Sequence, residues 1–241
     1  MIEHRPFETL GRIERDWLTT GLHFRFGEIG PPEHAPVGAL YVWNDDEFAP
    51  HSGFGMHPHR NVEIVTYVCS GAITHEDDFG NRSRLDAGDV QVMSAGTGVF
   101  HSERNEEPVP TRLFQIWLTP RRRDGEPRWA TRQFPREQEE AQLLPLASGD
   151  AADVRDGALE INADARLLHA AMLAGQTLEY ALPAGGQAYL VAATGRLDVA
   201  SVRLAARDGA AIMGEDRVSV SAIDRTSVFL LELLSEFPQS E

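Results

Sequence analysis

Short runs of β-forming residues separated by turn residues make up the first half of this chain. Val, Ile, Tyr and Phe are concentrated in the segments GALYVWND, NVEIVTYVCSGAITHED, GDVQVMSAGTGVFHSE and RLFQIWLTP. Gly71, Gly80-Asn81 and Gly88-Asp89 separate the runs, as turn residues do. Branched and aromatic side chains suit a pleated sheet, and turn signals every ~8 to 12 residues are typical of sandwiches and barrels. The pattern therefore predicts an all-β fold of antiparallel sheets with few short helices.

A polar connector separates this half from a second half of similar style. After Pro120 the segment RRRDGEPRWATRQFPREQEEAQ is charged and poor in β-branched residues, which is typical of a linker. Beyond it, YLVAATGRLDV followed by LAARDGAAI echoes YVCSGAITHED followed by LDAGDVQVM, a weak internal repeat. We therefore predict two domains, residues 1–125 and 126–241. A helix is predicted only locally, near Arg136 to Leu143 after Pro135.

Composition limits the classes of function. The 241 residues, 42% of them apolar, can bury one large core or two small ones. A formal charge of -15 opposes binding to a phosphate backbone, so we expect no direct nucleic-acid partner. The one cysteine, Cys69, forms no intramolecular disulfide and favours a reducing compartment. No continuous apolar run suggests a signal peptide or a membrane span, and the expectation is a cytoplasmic protein.

Two pairs of polar residues, His57-x-His59 and His101-x-Glu103, carry the candidate chemistry. Side chains at i and i+2 of a strand point to the same face, ~7 Å apart along the chain. Two such strands facing each other can close around one ion, and imidazoles with a carboxylate suit a first-row transition metal. Glu63 shares this parity if the first strand continues through Asn61, so it can be a ligand, contact a ligand histidine, or point away.

The remaining candidates look structural. Cys69 is expected to be a small buried hydrophobe, and Gly96 and Gly98 to form a tight turn before His101 rather than a phosphate loop. His75 is expected at a hydrogen-bonded hairpin end, with a place in a pocket or a contact with a metal ligand as the alternative. The other histidines have no partner at ligand spacing and are expected on the surface or in loops: His4, His23, His34, His51 and His169.

The segment GFGMHPHRNVEIVTYVCSGAITHEDDFGN, followed by AGDVQVMSAGTGVFHSERN, resembles the pirin family of the cupin superfamily. The likeness includes WNDD before these motifs and QIW after them, and it covers about residues 20 to 120. The resemblance implies a bicupin, two antiparallel β-barrels of jelly-roll type, with one metal ion in the N-terminal barrel only. Carried over, the ligands are His57, His59, His101 and Glu103, and Glu63 contacts a ligand rather than the metal.

The resemblance also implies an activity, the cleavage of a flavonol such as quercetin by O₂ with release of CO. Iron(II) is the first expectation for the divalent metal, with nickel, copper, manganese and zinc as the others, because ligand type alone ranks them poorly. Glu103, anionic and at the metal, is the expected acceptor of the substrate's hydroxyl proton.

Two alternatives stay open. One is a non-enzymatic, metal-binding regulator that acts through a protein partner. The other is a sugar-isomerase or acid-binding cupin, which needs polar groups such as Arg60 or Gln115 inside the pocket. The physiological substrate, the native metal and the oligomeric state do not follow from the residues.

Overall fold

The chain forms an almost entirely antiparallel β structure. The computed structural model describes residues 1–135, 141–183 and 185–234. The strands are β1 Ile2–Arg5, β2 Gly11–Arg15, β3 Leu18–Leu22, β4 Leu40–Phe48, β5 Ser52–His59, β6 Glu63–Ser70, β7 Ala72–Asp77, β8 Arg82–Asp86, β9 Asp89–Ser94, β10 Val99–Asn105, β11 Thr111–Leu118, β12 Arg128–Gln133, β13 Leu144–Ser148, β14 Leu159–Glu160, β15 Ala165–Met172, β16 Thr177–Ala181, β17 Gln187–Thr194, β18 Leu197–Val199, β19 Val202–Leu204, β20 Gly209–Met213, β21 Arg217–Ala222 and β22 Thr226–Leu233.

Helix is confined to two short pieces in the described residues, a 3₁₀ turn at Phe7–Thr9 and the helix α1 at Ala151–Arg155. Neither is long enough to cross a membrane. The helix predicted near Arg136 to Leu143 falls largely on residues 136–140, which lie outside the described part of the chain. The three residues after them, 141–143, have no regular secondary structure.

Each half of the chain contributes one seven-stranded and one four-stranded sheet. The first half forms β12-β9-β6-β11-β4-β3-β2 and β5-β10-β7-β8, and the second half forms β1-β20-β17-β22-β15-β13-β14 and β16-β21-β18-β19. The internal repeat seen in the sequence has a structural equivalent. In one half β6 turns at Gly71 into β7, and in the other β17 turns at Gly195 into β18, both glycines having φ near +70°.

Two strands cross the boundary predicted at residue 125. β12 follows that position but pairs with β9 of the first half, and β1 pairs with β20 of the second half. The limits 1–125 and 126–241 therefore stay a prediction. The N-terminal strand β1 lies at an edge of the second half's large sheet, and β12 lies at an edge of the first half's large sheet.

The two large sheets pack against each other and bury a shared core. Trp43, Tyr67 and Phe114 of the first half meet Tyr189 and Phe229 of the second, all of them buried. The small sheets cover the other face of these strands, so both faces are buried and the strand sequences are nearly continuous runs of apolar residues. The interior of the second barrel is filled by aliphatic side chains of β15, β17, β20, β21 and β22.

Candidate metal centre

The small sheet of the first barrel brings the two polar pairs together. β10 lies between β5 and β7, and its His101 is opposite His57 while its Val99 is opposite His59. The alternation of side chains then places His57, His59, His101 and Glu103 on the inner face of one sheet. The two pairs predicted from the i, i+2 spacing therefore lie on neighbouring strands of one sheet rather than on two strands that face each other.

A β-bulge in β5 adjusts the direction of this strand. Glu103 lies opposite Phe54 and His101 opposite His57, so two residues, Gly55 and Met56, oppose the single residue between them on β10. The bulge places both Phe54 and His57 on the inner side, with ring centroids 5.8 Å apart. Bulges of this kind commonly re-aim side chains at functional sites.

Three imidazoles converge on one point. The ring centroids of His57 and His101 are 4.4 Å apart, and those of His59 lie 4.9 Å from each of the other two. One nitrogen from each of the three lies within 4.8 Å of the others. The Gly55 carbonyl oxygen is 2.8 Å from Nδ1 of His57 and accepts a hydrogen bond from its N–H, which leaves the lone pair on Nε2.

The electrostatics of the rings fit a metal ion. Within the described part of the chain, Nε2 of His59 and Nε2 of His101 are buried without a hydrogen-bond partner. Burial lowers the pKa of His59 to about 4 and that of His101 to about 3, with the neighbouring imidazoles acting in the same direction. Neutral imidazoles with unpartnered, buried nitrogens are what a divalent transition metal would satisfy.

Glu103 lies beside this cluster, and its carboxylate, unlike Nε2 of His59 and His101, has hydrogen-bond partners. It is 1% exposed, and its Oε2 accepts a hydrogen bond of 2.5 Å from Nε2 of Gln115. Oε1 of Gln115 in turn accepts from the Trp117 indole at 3.0 Å. One carboxylate oxygen lies within 4.8 Å of a ring nitrogen of His101 and of His75, and the structure does not place Glu103 in one group with His57 and His59. The fourth ligand thus stays a prediction.

His75 is an interior residue, not a hairpin end. It is fully buried on β7 and stacks on Trp129 with a centroid distance of 5.5 Å. Its Nδ1 lies 3.5 Å from Nδ1 of His101, and its Nε2 lies 3.4 Å from Asp77. The hairpin end is held by Asp77 instead, which accepts from the backbone of Asn81 at 2.9 Å. The alternative, a contact with a candidate metal ligand, describes His75 better.

Glu63 contacts none of the clustered histidines. β5 ends at His59, and Asn61, with φ of 53°, turns the chain onto the large sheet, so the parity assumed for Glu63 is lost. Its Oε2 accepts from Ser94 Oγ at 2.6 Å and from the Asn162 backbone at 2.9 Å. Glu63 therefore ties the first barrel to the second half.

Apolar surface predominates in the cavity beside the histidines, although half of the residues that line it are polar. It has a volume of about 230 Å³ and is lined by Ile13, Arg15, Leu18, Thr20, Leu22, Phe26, Val42, Asn44, Asp46, Phe54, His57, His59, Gln115 and Trp117. Of the two polar residues suggested from the sequence, Gln115 reaches it. Arg60 lies on the surface, paired with Asp124 at 2.9 Å. A concave, mostly apolar pocket with convergent polar groups is typical of a small-molecule site.

Asp46 is the cavity residue that sequence reasoning missed. It is 3% exposed, and burial raises its pKa to about 7, an effect that a hydrogen bond from Thr20 partly offsets. The neighbouring Asp45 points to the opposite face of β4 and binds Arg112. Strand alternation could have separated the two aspartates, but their sequence context does not show which face is inside.

Three of the histidines expected on the surface or in loops are buried. His23 and His34 do lie in the loop between β3 and β4, whereas His169 lies on β15. His23 packs between the barrels, where its Nδ1 is 2.9 Å from the Tyr189 hydroxyl, and His169 is 2.8 Å from the Ser227 hydroxyl. Their partners are distant in the chain, which is why spacing did not reveal them. Cys69 is half-buried beside the shared core, and burial raises its pKa to about 12, as expected for an unreactive thiol.

The two halves, each with a large and a small antiparallel sheet, and the histidine cluster inside the first define a bicupin with a candidate metal centre. The chain belongs to the pirin family. Residues 4–118 match the family model described as Pirin, and residues 146–233 match the one described as Quercetinase C-terminal cupin domain.

Named relatives agree with this assignment over nearly the whole length. A protein of Pseudomonas aeruginosa, provisionally named a quercetin 2,3-dioxygenase, is 50% identical over 97% of this chain and 100% of its own. Quercetin 2,3-dioxygenase of Escherichia coli K12 is 33% identical over 97% of this chain and 99% of its own. The crystal structure of the E. coli bacterial pirin YhhW in complex with nickel(II) superposes with a TM-score of 0.91, at 32% identity and with coverage of 98% and 100%.

Proposed function

We propose that this protein is a metal-dependent dioxygenase that cleaves a flavonol such as quercetin with O₂. The observation that carries the proposal is the meeting of three imidazoles beside an apolar cavity that His57 and His59 line. In the described part of the chain, two of the three have a buried Nε2 atom without a hydrogen-bond partner. The name of the E. coli relative and the family model of the second half support the same reaction.

The residues proposed to hold the metal are His57, His59 and His101, with Glu103 as the fourth ligand. When bound, a divalent ion supplies Lewis acidity to the adjacent hydroxyl and carbonyl oxygens of a flavonol. Iron(II) stays our leading proposal, and nickel is supported by the metal in the related pirin structure. The Trp117–Gln115–Glu103 chain of hydrogen bonds holds the carboxylate in a fixed position, which favours pre-organised ligation.

The cavity walls are proposed to hold the flavonol's rings. Leu22, Val42 and Phe54 offer apolar surface, and Trp117 offers an aromatic edge or face. The same side chains exclude water from the reacting centre, which protects a reactive intermediate from hydrolysis.

The test is aerobic turnover by the metal-loaded protein, followed as loss of quercetin's visible absorbance together with release of CO. We expect His57→Ala to lose metal and activity together. The control His4→Ala, which changes a histidine of β1 in the second half's sheet, should keep both. An unchanged quercetin spectrum with a full complement of bound metal would contradict the dioxygenase and favour a non-enzymatic metal-binding protein.

A further inference from the structure

A carboxyl group that is not among the proposed metal ligands opens onto the same cavity. Asp46 lies on β4, and the cavity wall that includes it also includes His57 and His59. It is 3% exposed, and in the described part of the chain its Oδ1 is buried without a hydrogen-bond partner. A buried carboxylate oxygen without a hydrogen-bond partner is destabilising, so its retention at a cavity points to a ligand that would pair with it.

Glu103 is poorly suited to move a proton in this site. Its Oε2 already accepts a 2.5 Å hydrogen bond from Gln115, and its Oε1 faces the Thr66 hydroxyl at 3.5 Å. Ligation to a metal would further reduce its basicity. Among the described residues, Asp46 has only a side-chain hydrogen bond with Thr20, and its Oδ1 has no partner.

We propose that Asp46 is the general base that takes the hydroxyl proton of the bound flavonol. This inference rests on the proposed dioxygenase function and names a residue for one of its steps. The O–H bond of the hydroxyl breaks, its electron pair stays on the flavonol oxygen, and the proton bonds to Oδ1 of Asp46. No group is oxidised or reduced in this step, and the proton passes to solvent when the product leaves.

The surroundings of Asp46 agree with this role. Burial raises its pKa to about 7, the Thr20 hydrogen bond opposes the rise, and the Glu103 charge adds to it. A base is most effective when its pKa lies near the working pH. The titratable or charged side chains that share the cavity or interact with the Asp46 charge are Arg15 on β2, His57 and His59 on β5, Glu103 on β10, and Asp45 on β4 itself.

The experiment compares metal-loaded wild type with Asp46→Asn, which keeps the shape of the side chain. Quercetin is titrated under nitrogen, and the absorption band of its anion is followed against pH. We expect Asp46→Asn to bind quercetin and metal but to ionise the flavonol at least one pH unit higher. In air, kcat/KM at pH 7 should fall about 100-fold, the usual scale of base catalysis. The control Asp16→Asn changes an exposed aspartate on the β2–β3 turn and should match wild type.

A second variant tests the same role without removing the carboxyl group. Thr20→Val removes the hydrogen bond that lowers the pKa of Asp46. The acidic limb of the kcat/KM profile should therefore move to higher pH, and an unmoved limb would count against Asp46.

The outcomes separate the two proposals. If Asp46→Asn ionises bound quercetin at the wild-type pH and keeps kcat/KM within a few-fold, the role of Asp46 is overturned and the dioxygenase stands. Loss of quercetin binding in this variant, with metal retained, would overturn the proton role in favour of a binding role. If wild type ionises quercetin under nitrogen but consumes none in air, the dioxygenase fails while the Asp46 test stays valid. If wild type does not perturb the quercetin spectrum at all, both proposals fail.

Discussion

His169, at the interface between the barrels, is kept neutral by its burial. His169 packs against Phe229 at 4.7 Å between ring centroids and pairs with the Ser227 hydroxyl. Burial lowers its pKa to about 4, well below the value of about 6.5 expected in the unfolded chain. His169 therefore stays neutral in the folded protein where the unfolded chain would bind a proton.

This difference predicts how stability depends on pH. Above pH ~6.5 both states are neutral and His169 adds no pH dependence. Between pH ~6.5 and its folded pKa of about 4, the unfolded state binds the extra proton, so His169 lowers the free energy of unfolding by about 1.4 kcal/mol per pH unit. His169→Gln keeps a hydrogen-bonding group without the titration. Urea unfolding from pH 7 to pH 4 should show a shallower fall in the variant, and parallel curves would contradict the account.

Sequence reasoning recognised residues whose partners are near in the chain and missed those whose partners are far away. His57 and His59 stand out because strand parity alone puts them on one face. His23 does not, since its partner Tyr189 lies 166 positions later. Asp46 is adjacent to Asp45 and looks identical in composition, but only the tertiary fold shows that one faces a cavity and the other faces two arginines.

At the scale of elements, the approach of β5 to β10 depends on one glycine. Gly53 has φ of 149°, and a Cβ at this position would lie 2.3 Å from the Glu103 carbonyl oxygen and 2.5 Å from Cα of Arg104. Both contacts are with backbone, which cannot move away without separating the two strands that carry the histidines. Gly55 in the same strand has nothing within 4 Å of such a Cβ.

We therefore expect different outcomes from the same substitution at two positions of β5. Gly53→Ala should lower the free energy of unfolding by more than ~1 kcal/mol and weaken metal binding, because strain and backbone overlap act together. Gly55→Ala should change stability by no more than ~0.5 kcal/mol. Denaturant titration and metal competition measure both effects. Equal behaviour of the two variants would show that β5 is not held against β10 as described.

The pattern of apolar and turn residues predicted the strands themselves better than it predicted which strands pair with each other. The all-β fold and the internal repeat follow from short β-rich runs and glycine turns, and the bicupin arrangement was implied by the resemblance to the pirin family. The sequence pattern does not predict that β1 pairs with β20 and β12 with β9. The partner of an edge strand depends on which sheet edge is left unpaired nearby in the folded protein, and that edge can be distant in the chain. Side-chain alternation along a strand likewise does not predict the turn at Asn61, which moves Glu63 from the small sheet to the large sheet.

At the scale of the whole molecule, one buried carboxylate joins the barrels. Asp45 is fully buried and accepts two hydrogen bonds of 2.8 Å from Arg112 and one of 2.7 Å from Arg207 of the second half. Burial alone would raise the pKa of Asp45, but the hydrogen bonds and charges of Arg112 and Arg207 outweigh it and lower the pKa. Arg112 also donates to the Ala193 carbonyl oxygen across the interface.

Removing the charge of Asp45 should therefore destabilise the contact between the halves. Asp45→Asn leaves Arg112 without its counter-charge and leaves Arg207 with Glu47 alone. We expect a loss of about 3–5 kcal/mol in the free energy of unfolding. The control Asp198→Asn removes an exposed partner of Arg203 on the second barrel and should cost no more than ~1 kcal/mol. Denaturant unfolding measures both, and a loss below 1 kcal/mol in Asp45→Asn would contradict a joining role.

The central claim is that one metal ion binds where the three histidines of β5 and β10 meet. Anomalous X-ray diffraction from crystals of metal-loaded protein, collected on both sides of the metal's absorption edge, tests it directly. The account predicts one anomalous peak per chain, within bonding distance of Nε2 of His57, His59 and His101 and of the Glu103 carboxylate. A peak enclosed instead by His75, His101 and Glu103, or no peak in metal-loaded protein, would contradict it.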